Sequence, residues 1–479
     1  MYGQSGGGGP QGPAPARTPS PSDMADRRST VRAGRSRGPR ARGTTSRALV
    51  MAVLAVAGGL GLGPGLAWAW PGTAAATAAG APLGRDPAEA RRGACPRKVI
   101  EKEAKGGLLE YSVIYTDRAT NSMSTTFQKT MNDLHAILTE TYAAHRAVII
   151  PGSGTYGMEA VARQIAVGKK VMVIRNGYFS YRWTDIFQQG DIPESHSVHK
   201  AAPANPDKPK ELPQYRPMPI AEVLEKIRDE KPDVVFAPHV ETSLGLVLPD
   251  EYVEAVGRAA REAGALFVLD GIAAGMQWQD MQKGSVDFYL TAPQKGWTAP
   301  ASAGVVLMSQ RGYAAMKGTK SNSMVLNLSK WNDIMEAYLN GGFGYHATMP
   351  TDALGLFRDA ALETKTYGLA KAKEGFLRLG RETRAMLEGL GFTSVSAPGF
   401  QAPGVVVSYT DDPKMVAKLK ALGIQVAAGV PFMLDERKGL VTFRVGLFGI
   451  DKVYDIPRTV GRLKEALEQI KRDAEEGEL

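Results

Sequence analysis

From about residue 100 onward, short uninterrupted apolar runs alternate with amphipathic stretches. The runs are Ala147-Val148-Ile149-Ile150, Val171-Met172-Val173-Ile174, Val234-Val235-Phe236-Ala237, Leu266-Phe267-Val268-Leu269 and Val305-Val306-Leu307-Met308, bounded by Gly, Pro or Asn. Four apolar residues without alternation suit a strand buried on both faces. Met158–Val167 and Tyr252–Ala263 carry helical spacing between them, so the pattern predicts an α/β fold around a mainly parallel sheet. Ligands then belong at the carboxyl ends of the strands. A long helical segment from about Leu356 to Leu390 leads into a second, smaller α/β region. The Pro-rich stretch from Pro203 to Pro219 reads as a surface loop, able to serve as a lid if it borders a site.

The first hundred residues do not share this pattern. From Met1 to about Lys98 the chain is rich in Gly, Pro, Ala and Arg, too poor in apolar surface to offset the entropy of ordering. Within it, the apolar run from Ala48 to Leu62 follows an Arg-rich stretch, and Ala67-Trp68-Ala69 has the small-x-small form of a processing site. That is the outline of a secretory or transit signal. The alternative is a reading frame opened too early, with Met24 and Met51 as internal starts. The expected organisation is an extension over 1–98, an N-terminal arm with a large domain over 99–367, and a small C-terminal domain over 368–479.

Charge sharpens that division. The 479 residues carry a net charge of +9, which on its own invites nucleic acid. Residues 1–100, however, hold thirteen Arg and one Lys against Asp23, Asp26, Asp86 and Glu89, and the remainder is close to neutral. No nucleic-acid partner is expected for the folded part. A mean hydropathy of −0.19 excludes a polytopic membrane protein. The single cysteine, Cys95, can form neither an intramolecular disulfide nor a thiolate cluster. A cytoplasmic location is expected, or an organellar or exported one if the 48–69 segment is a genuine signal. His196-x-x-His199 has the spacing of two metal ligands on a helical turn, but Pro193 opposes a helix there and no metal is expected.

Three segments carry chemistry. In Pro151-Gly152-Ser153-Gly154-Thr155-Tyr156-Gly157 a Gly-rich turn joins a strand to a helix. Its hydroxyls and the helix N-terminal N–H groups suit a phosphate. Phe267-Val268-Leu269-Asp270-Gly271 puts a carboxylate at the end of an apolar strand, where a buried acid needs a positive partner. In Thr291-Ala292-Pro293-Gln294-Lys295-Gly296-Trp297 a lysine follows another strand, and partial desolvation there favours a nucleophilic amine. A phosphate cradle, a strand-end Asp and a strand-end Lys in that order are what pyridoxal phosphate requires.

With these motifs the chain resembles the class V aminotransferases of the type I pyridoxal-phosphate fold, especially the alanine–glyoxylate and serine–glyoxylate branch. The likeness runs from about Glu110 to Ile470 and also takes in His239-Val240-Glu241-Thr242-Ser243-Leu244-Gly245, Tyr345-x-x-Thr348-x-Pro350 and Phe443-Arg444-Val445-Gly446-Leu447. It implies that Lys295 bonds the cofactor and shuttles the substrate Cα proton, and that Asp270 holds the pyridine nitrogen. Ser153, Gly154, Thr155 and Gln294 would bind the phosphate, Phe179 would stack on the ring, and Thr242 would bond near the ring oxygen. Tyr345 and Thr348 would reach the phosphate of a neighbouring subunit, implying a homodimer with shared sites. Arg444 would clamp the substrate carboxylate, as its planar fork suits.

There are departures. Where many relatives have a Gly-Pro-Gly-Pro loop this chain reads Tyr111-Ser112-Val113-Ile114-Tyr115-Thr116-Asp117-Arg118, and Ser122-Met123-Ser124 stands where His-Met-Ser is common. Phe179 replaces a frequent Trp. The expected pocket contributors Ile114, Tyr115, Ser122 and Phe179 bring no second cation apart from Arg118. A small neutral donor, alanine or serine, and glyoxylate or pyruvate as acceptor are therefore expected. Alternatives are a same-fold aminotransferase for aspartate or 2-aminoethylphosphonate, a desulfurase or lyase, and a non-catalytic binding protein. A desulfurase needs a mobile Cys beyond the lysine, and Cys95 is far upstream.

Overall fold

A computed structural model of the chain describes residues 119–477. The first elements are α1 (Thr125–Tyr142), β1 (Arg146–Pro151), α2 (Gly154–Ile165), β2 (Lys170–Arg175), α3 (Tyr178–Gly190) and β3 (Ser195–Lys200). They continue through α4 (Ile220–Glu230), β4 (Val234–Pro238), α5 (Asp250–Glu262), β5 (Leu266–Asp270), β6 (Phe288–Thr291), α6 (Pro293–Gly296) and β7 (Ala303–Met308). The seven strands form one sheet in the order β1-β7-β6-β5-β4-β2-β3. Every pairing is parallel except those of β7, which runs antiparallel to both β1 and β6. The carboxyl ends of β1, β2, β4, β5 and β6 consequently share one edge. The apolar runs form strands because helices cover them, with α2 over β6 and β7, α3 over β2 and α5 over β5.

The strand from Ser195 to Lys200 was not evident from the sequence pattern. Among the described residues it pairs with β2 alone, and as an edge strand it can be polar. His196 and His199 lie on it, where the two-residue alternation sends side chains three apart to opposite faces. His199 Nε2 meets Glu230 at 3.0 Å. The Pro203–Pro219 stretch is more ordered than a plain surface loop. Ala202–Pro203 pairs with Tyr215–Arg216, and the buried Tyr215 donates its N–H to Val395 O at 2.8 Å.

Beyond β7 come α7 (Gln310–Lys317), α8 (Leu328–Leu339), α9 (Thr351–Tyr367) and α10 (Leu369–Gly389). The long helical segment expected from 356 to 390 is thus two helices. Gly368, at φ +103, breaks them in a conformation that side-chain-bearing residues rarely adopt. A three-stranded sheet follows, built from β8 (Val405–Tyr409), β9 (Ala427–Ala428) and β10 (Thr442–Gly446), with α11 (Met415–Ala421), α12 (Ile450–Tyr454) and α13 (Ile456–Glu475). It has a core of its own around Phe376, Leu379, Val406, Phe443 and Leu467. Among the described residues, no helix is long and apolar enough to cross a membrane.

Candidate active site

At the edge where the strands end, β1 turns into α2. Ser153 caps this helix in an extended conformation, yet its hydroxyl makes no capping hydrogen bond, so it faces the cavity with its donor free for a ligand. A dozen-residue helix directs its N-terminal dipole at the same point. Ser153, Gly154, Thr155, Phe179, Thr242, Asp270, Gln294 and Lys295 all line this one cavity of about 160 Å³.

The aromatic wall is set by α3. Its N-cap is Gly177, which has no side chain to satisfy the first turn. Glu241, fully buried, does so from another segment. Its carboxylate accepts from Phe179 N at 3.1 Å, Ser180 N at 2.9 Å and Ser180 Oγ at 2.7 Å. It also accepts from Ser243 N and Ser243 Oγ. A side chain at 177 would collide, since a Cβ there would stand 2.2 Å from Ser243 Oγ and 2.7 Å from Glu241. A carboxylate with five donors at a helix N-terminus is a strong fixture. It fixes where Phe179 begins.

Asp270 ends β5 and Lys295 lies in α6, one strand over. Asp270 Oδ1 accepts from Ile272 N at 3.0 Å, but burial, chiefly, drives its carboxyl up to about 7. The half-buried Lys295 amine is held below its ordinary pKa by desolvation, then by the charges of Arg444 and Arg182. It stands 4.7 Å over the Phe448 ring. The turn that carries it is pressed on the chain beneath, for a Cβ on Gly296 would come within 2.4 Å of Gly275 O. Behind Asp270, the N–H of His239 donates to the Asp270 carbonyl at 2.8 Å, and His239 Nδ1 faces Tyr289 Oη at 3.3 Å. Burial lowers His239 to about 4 and keeps it neutral.

Residues 95–432 match the family profile of the class-V aminotransferases. The chain belongs to that family.

Similarity to individual proteins agrees with this. Alanine–glyoxylate aminotransferase 1 of Saccharomyces cerevisiae is 28% identical over 324 residues, covering 64% of this chain and 79% of the yeast protein. Serine–glyoxylate aminotransferase of Methylorubrum extorquens is 26% identical over 310 residues, covering 63% and 73% respectively. The crystal structure of alanine–glyoxylate aminotransferase from Nostoc sp. superposes with a TM-score of 0.62 at 22% identity, over 73% of this chain and 89% of that one. The last comparison shows the type I fold of pyridoxal-phosphate aminotransferases.

A class V aminotransferase implies pyridoxal phosphate, and the cavity suits it. Gln294 Oε1 is buried without a partner. Since amide oxygen and nitrogen can exchange places by a flip, the group is free to present a donor to a phosphate. Asp270 is a buried acid in want of a cation, Phe179 supplies a flat wall, and Lys295 supplies an amine.

Arg444 is on β10, beyond the matched span. Its Nε donates to Ala428 O at 2.8 Å and its guanidinium lies 5.7 Å from the Phe179 ring centroid. It does not line the cavity itself but overlooks its aromatic wall. Tyr345, 77% exposed, and Thr348, also exposed, lie outside the cavity. Ser122 lies outside it as well, its carbonyl accepting from Tyr338 Oη at 2.9 Å. Cys95, Ile114, Tyr115 and Arg118, like the extension over 1–98, lie outside the described residues.

One expectation is overturned. The pocket does contain a further cation, Arg182, which lines the cavity, donates to Thr155 Oγ1 at 3.2 Å and stacks 4.8 Å from the Phe179 centroid. Its position three residues after Phe179 puts both on one face of α3, a signal present in the sequence. Glu241 belongs to the His239–Gly245 motif, but its capping role comes from the fold.

Proposed function

We propose that the chain transfers an amino group from alanine or serine to glyoxylate or pyruvate, with pyridoxal phosphate held in the cavity. The observation that carries this reading is the convergence of Lys295, Asp270 and the Ser153–Thr155 helix start on one cavity. Ser153, Gly154, Thr155 and Gln294 would hold the phosphate, with Arg182 adding charge beside Thr155. Phe179 would stack on the ring and Thr242 would bond near its oxygen. When bound, the cofactor supplies an electron sink for negative charge developing at the substrate Cα. Asp270 would hold the proton on the pyridine nitrogen. Lys295, held below its ordinary pKa, would be the base that takes and carries the proton of the substrate Cα. Arg444 would orient the substrate α-carboxylate.

A screen of amino donors against glyoxylate and pyruvate tests the substrate assignment. Alanine and serine should give the highest kcat/KM, and Arg444→Ala should raise KM for both by on the order of 10²-fold, about 3 kcal/mol of charge-assisted binding. Arg182 favours a second reading, in which a donor with a distal acid such as aspartate or 2-aminoethylphosphonate meets a second guanidinium. Its hydrogen bond to Thr155 instead ties it to the phosphate cradle, and the first reading is kept. A kcat/KM for aspartate, glutamate or 2-aminoethylphosphonate well above that for alanine and serine would reverse that choice.

We also propose a homodimer in which Tyr345 and Thr348 complete the partner's phosphate site, as their exposure away from their own cavity allows. Lys295→Ala chains mixed equally with Thr348→Glu chains should recover about a quarter of the wild-type sites, since hybrids then hold one sound site of two. Absence of complementation would remove the shared-site assignment.

A further inference from the structure

The helix α10 carries a stripe of positive charge that no carboxylate neutralises through an ion pair among the described residues. Lys373, Arg381 and Arg384 lie eight and eleven residues apart, close to whole numbers of turns, and so share one face. All three line a cavity of about 260 Å³ together with Gln277, Gln401 and Asp250, the last an exposed residue at the start of α5. This cavity shares no lining residue with the one that holds Lys295.

Arg384 is the decisive member. It is only 7% exposed, its Nη2 donates to Ala402 O at 2.8 Å, and its buried Nε has no partner. The exposed Glu388 lies one turn further along, while desolvation dominates and pulls the guanidinium down to about 10. The ion pair within α10 joins Arg378 to Glu382 at 2.6 Å. Among the described residues, none of the three lining cations forms one. A buried guanidinium with an unmade hydrogen bond, beside two further cations within reach of solvent, outweighs the one carboxylate of Asp250 and leaves the cavity lining with a surplus of positive charge.

We propose that this cavity binds a compact anion with at least two anionic oxygens, a phosphate or a dicarboxylate. The guanidinium of Arg384, part of the lining, donates to it from the buried side, and Lys373 and Arg381 close over it from the rim. The planar guanidinium suits paired oxygens, and the longer, freer lysine adapts to the remaining charge. An anion seated there would tie α10 to the start of α5 and to the segment leading into β8.

Calorimetric titration of the full chain loaded with cofactor, so that the helix start at Ser153 is occupied, tests this with inorganic phosphate and with succinate at constant ionic strength. Saturable binding is expected for at least one, and the arm that binds tells whether the site prefers a tetrahedral or a carboxylate anion. Replacing Lys373→Gln and Arg381→Gln together should weaken binding by roughly tenfold or more, and Arg384→Gln should remove it. The double variant keeps the test decisive if Arg384→Gln does not fold, because both of its side chains reach solvent. No saturable binding of either anion, or unchanged affinity in the double variant, would overturn the proposal.

Discussion

Lys295→Ala is expected to reduce turnover by roughly 10⁴-fold or more and to abolish the visible absorption of the loaded protein. Two functions reside in the same amine, covalent capture of the cofactor and movement of the Cα proton, and no neighbour can take over either. Among the described residues, Arg444 and Arg182 are the cations whose charge acts on Lys295, and a guanidinium does not give up a proton in this pH range. Folding should be little affected, since the amine is half-buried and shifted toward its neutral form by desolvation, so its removal strands no partner. Absorption spectra with and without alanine, together with single-turnover rates, measure the effect. Turnover near that of the unmodified protein would sink the assignment of Lys295.

Asp270→Asn should have opposite effects on stability and on activity. In the cofactor-free chain the Asp270 carboxyl is raised from 3.8 to about 7 by burial. The folded state therefore binds this proton more tightly than the unfolded state. Below about pH 4 both states are protonated and there is no penalty, whereas above about pH 7 both are ionised and the whole cost of the buried charge falls on the fold. The shift amounts to about 4 kcal/mol at full ionisation. Asparagine stays neutral and can still accept from Ile272 N. The variant should thus be more stable than the original, by a margin that widens by roughly 2–3 kcal/mol between pH 5 and pH 8. Its activity should fall by roughly 10²–10⁴-fold, the effect of losing one partner of a buried ion pair. Urea unfolding of the two cofactor-free chains at both pH values, and rates of the loaded ones, measure both effects. A margin that does not grow with pH would remove the burial cost assigned to Asp270, and a full rate in Asp270→Asn would show that Asp270 is not the ring's partner.

Such stored cost explains why part of this site could be read without coordinates. Asp270 and Lys295 stand out because one is a charged residue at the very end of an apolar strand and the other follows a strand by four residues, in the turn that leaves it. The five apolar runs named from the sequence all became strands of the large sheet, whereas the equally buried Val405–Tyr409 was not picked out and β3 was not either, because an edge strand can be written in polar residues. Gly368 left no trace in the helical periodicity, which continues on both sides of it. Glu241 illustrates a different limit. Its donors at 179 and 180 lie some sixty residues away, so its role exists only once β4 and β2 are neighbours. The unpaired Nε of Arg384 is likewise a property of packing between α10 and the segment around Ala402. Arg182 was within reach of helical spacing alone.

The grip of Glu241 on α3 has an evolutionary side. The carboxylate holds residue 179 by its backbone N–H, a contact that does not depend on which aromatic side chain stands there. Aromatic identity at this position can drift among Phe, Tyr and Trp while the helix start stays where it is. Gly177 has no such latitude, because the space for its Cβ is already filled by Ser243 and Glu241. Neighbouring residues two apart thus face opposite selective regimes, one open to adjustment in descendants and one locked by the architecture that makes the adjustment safe.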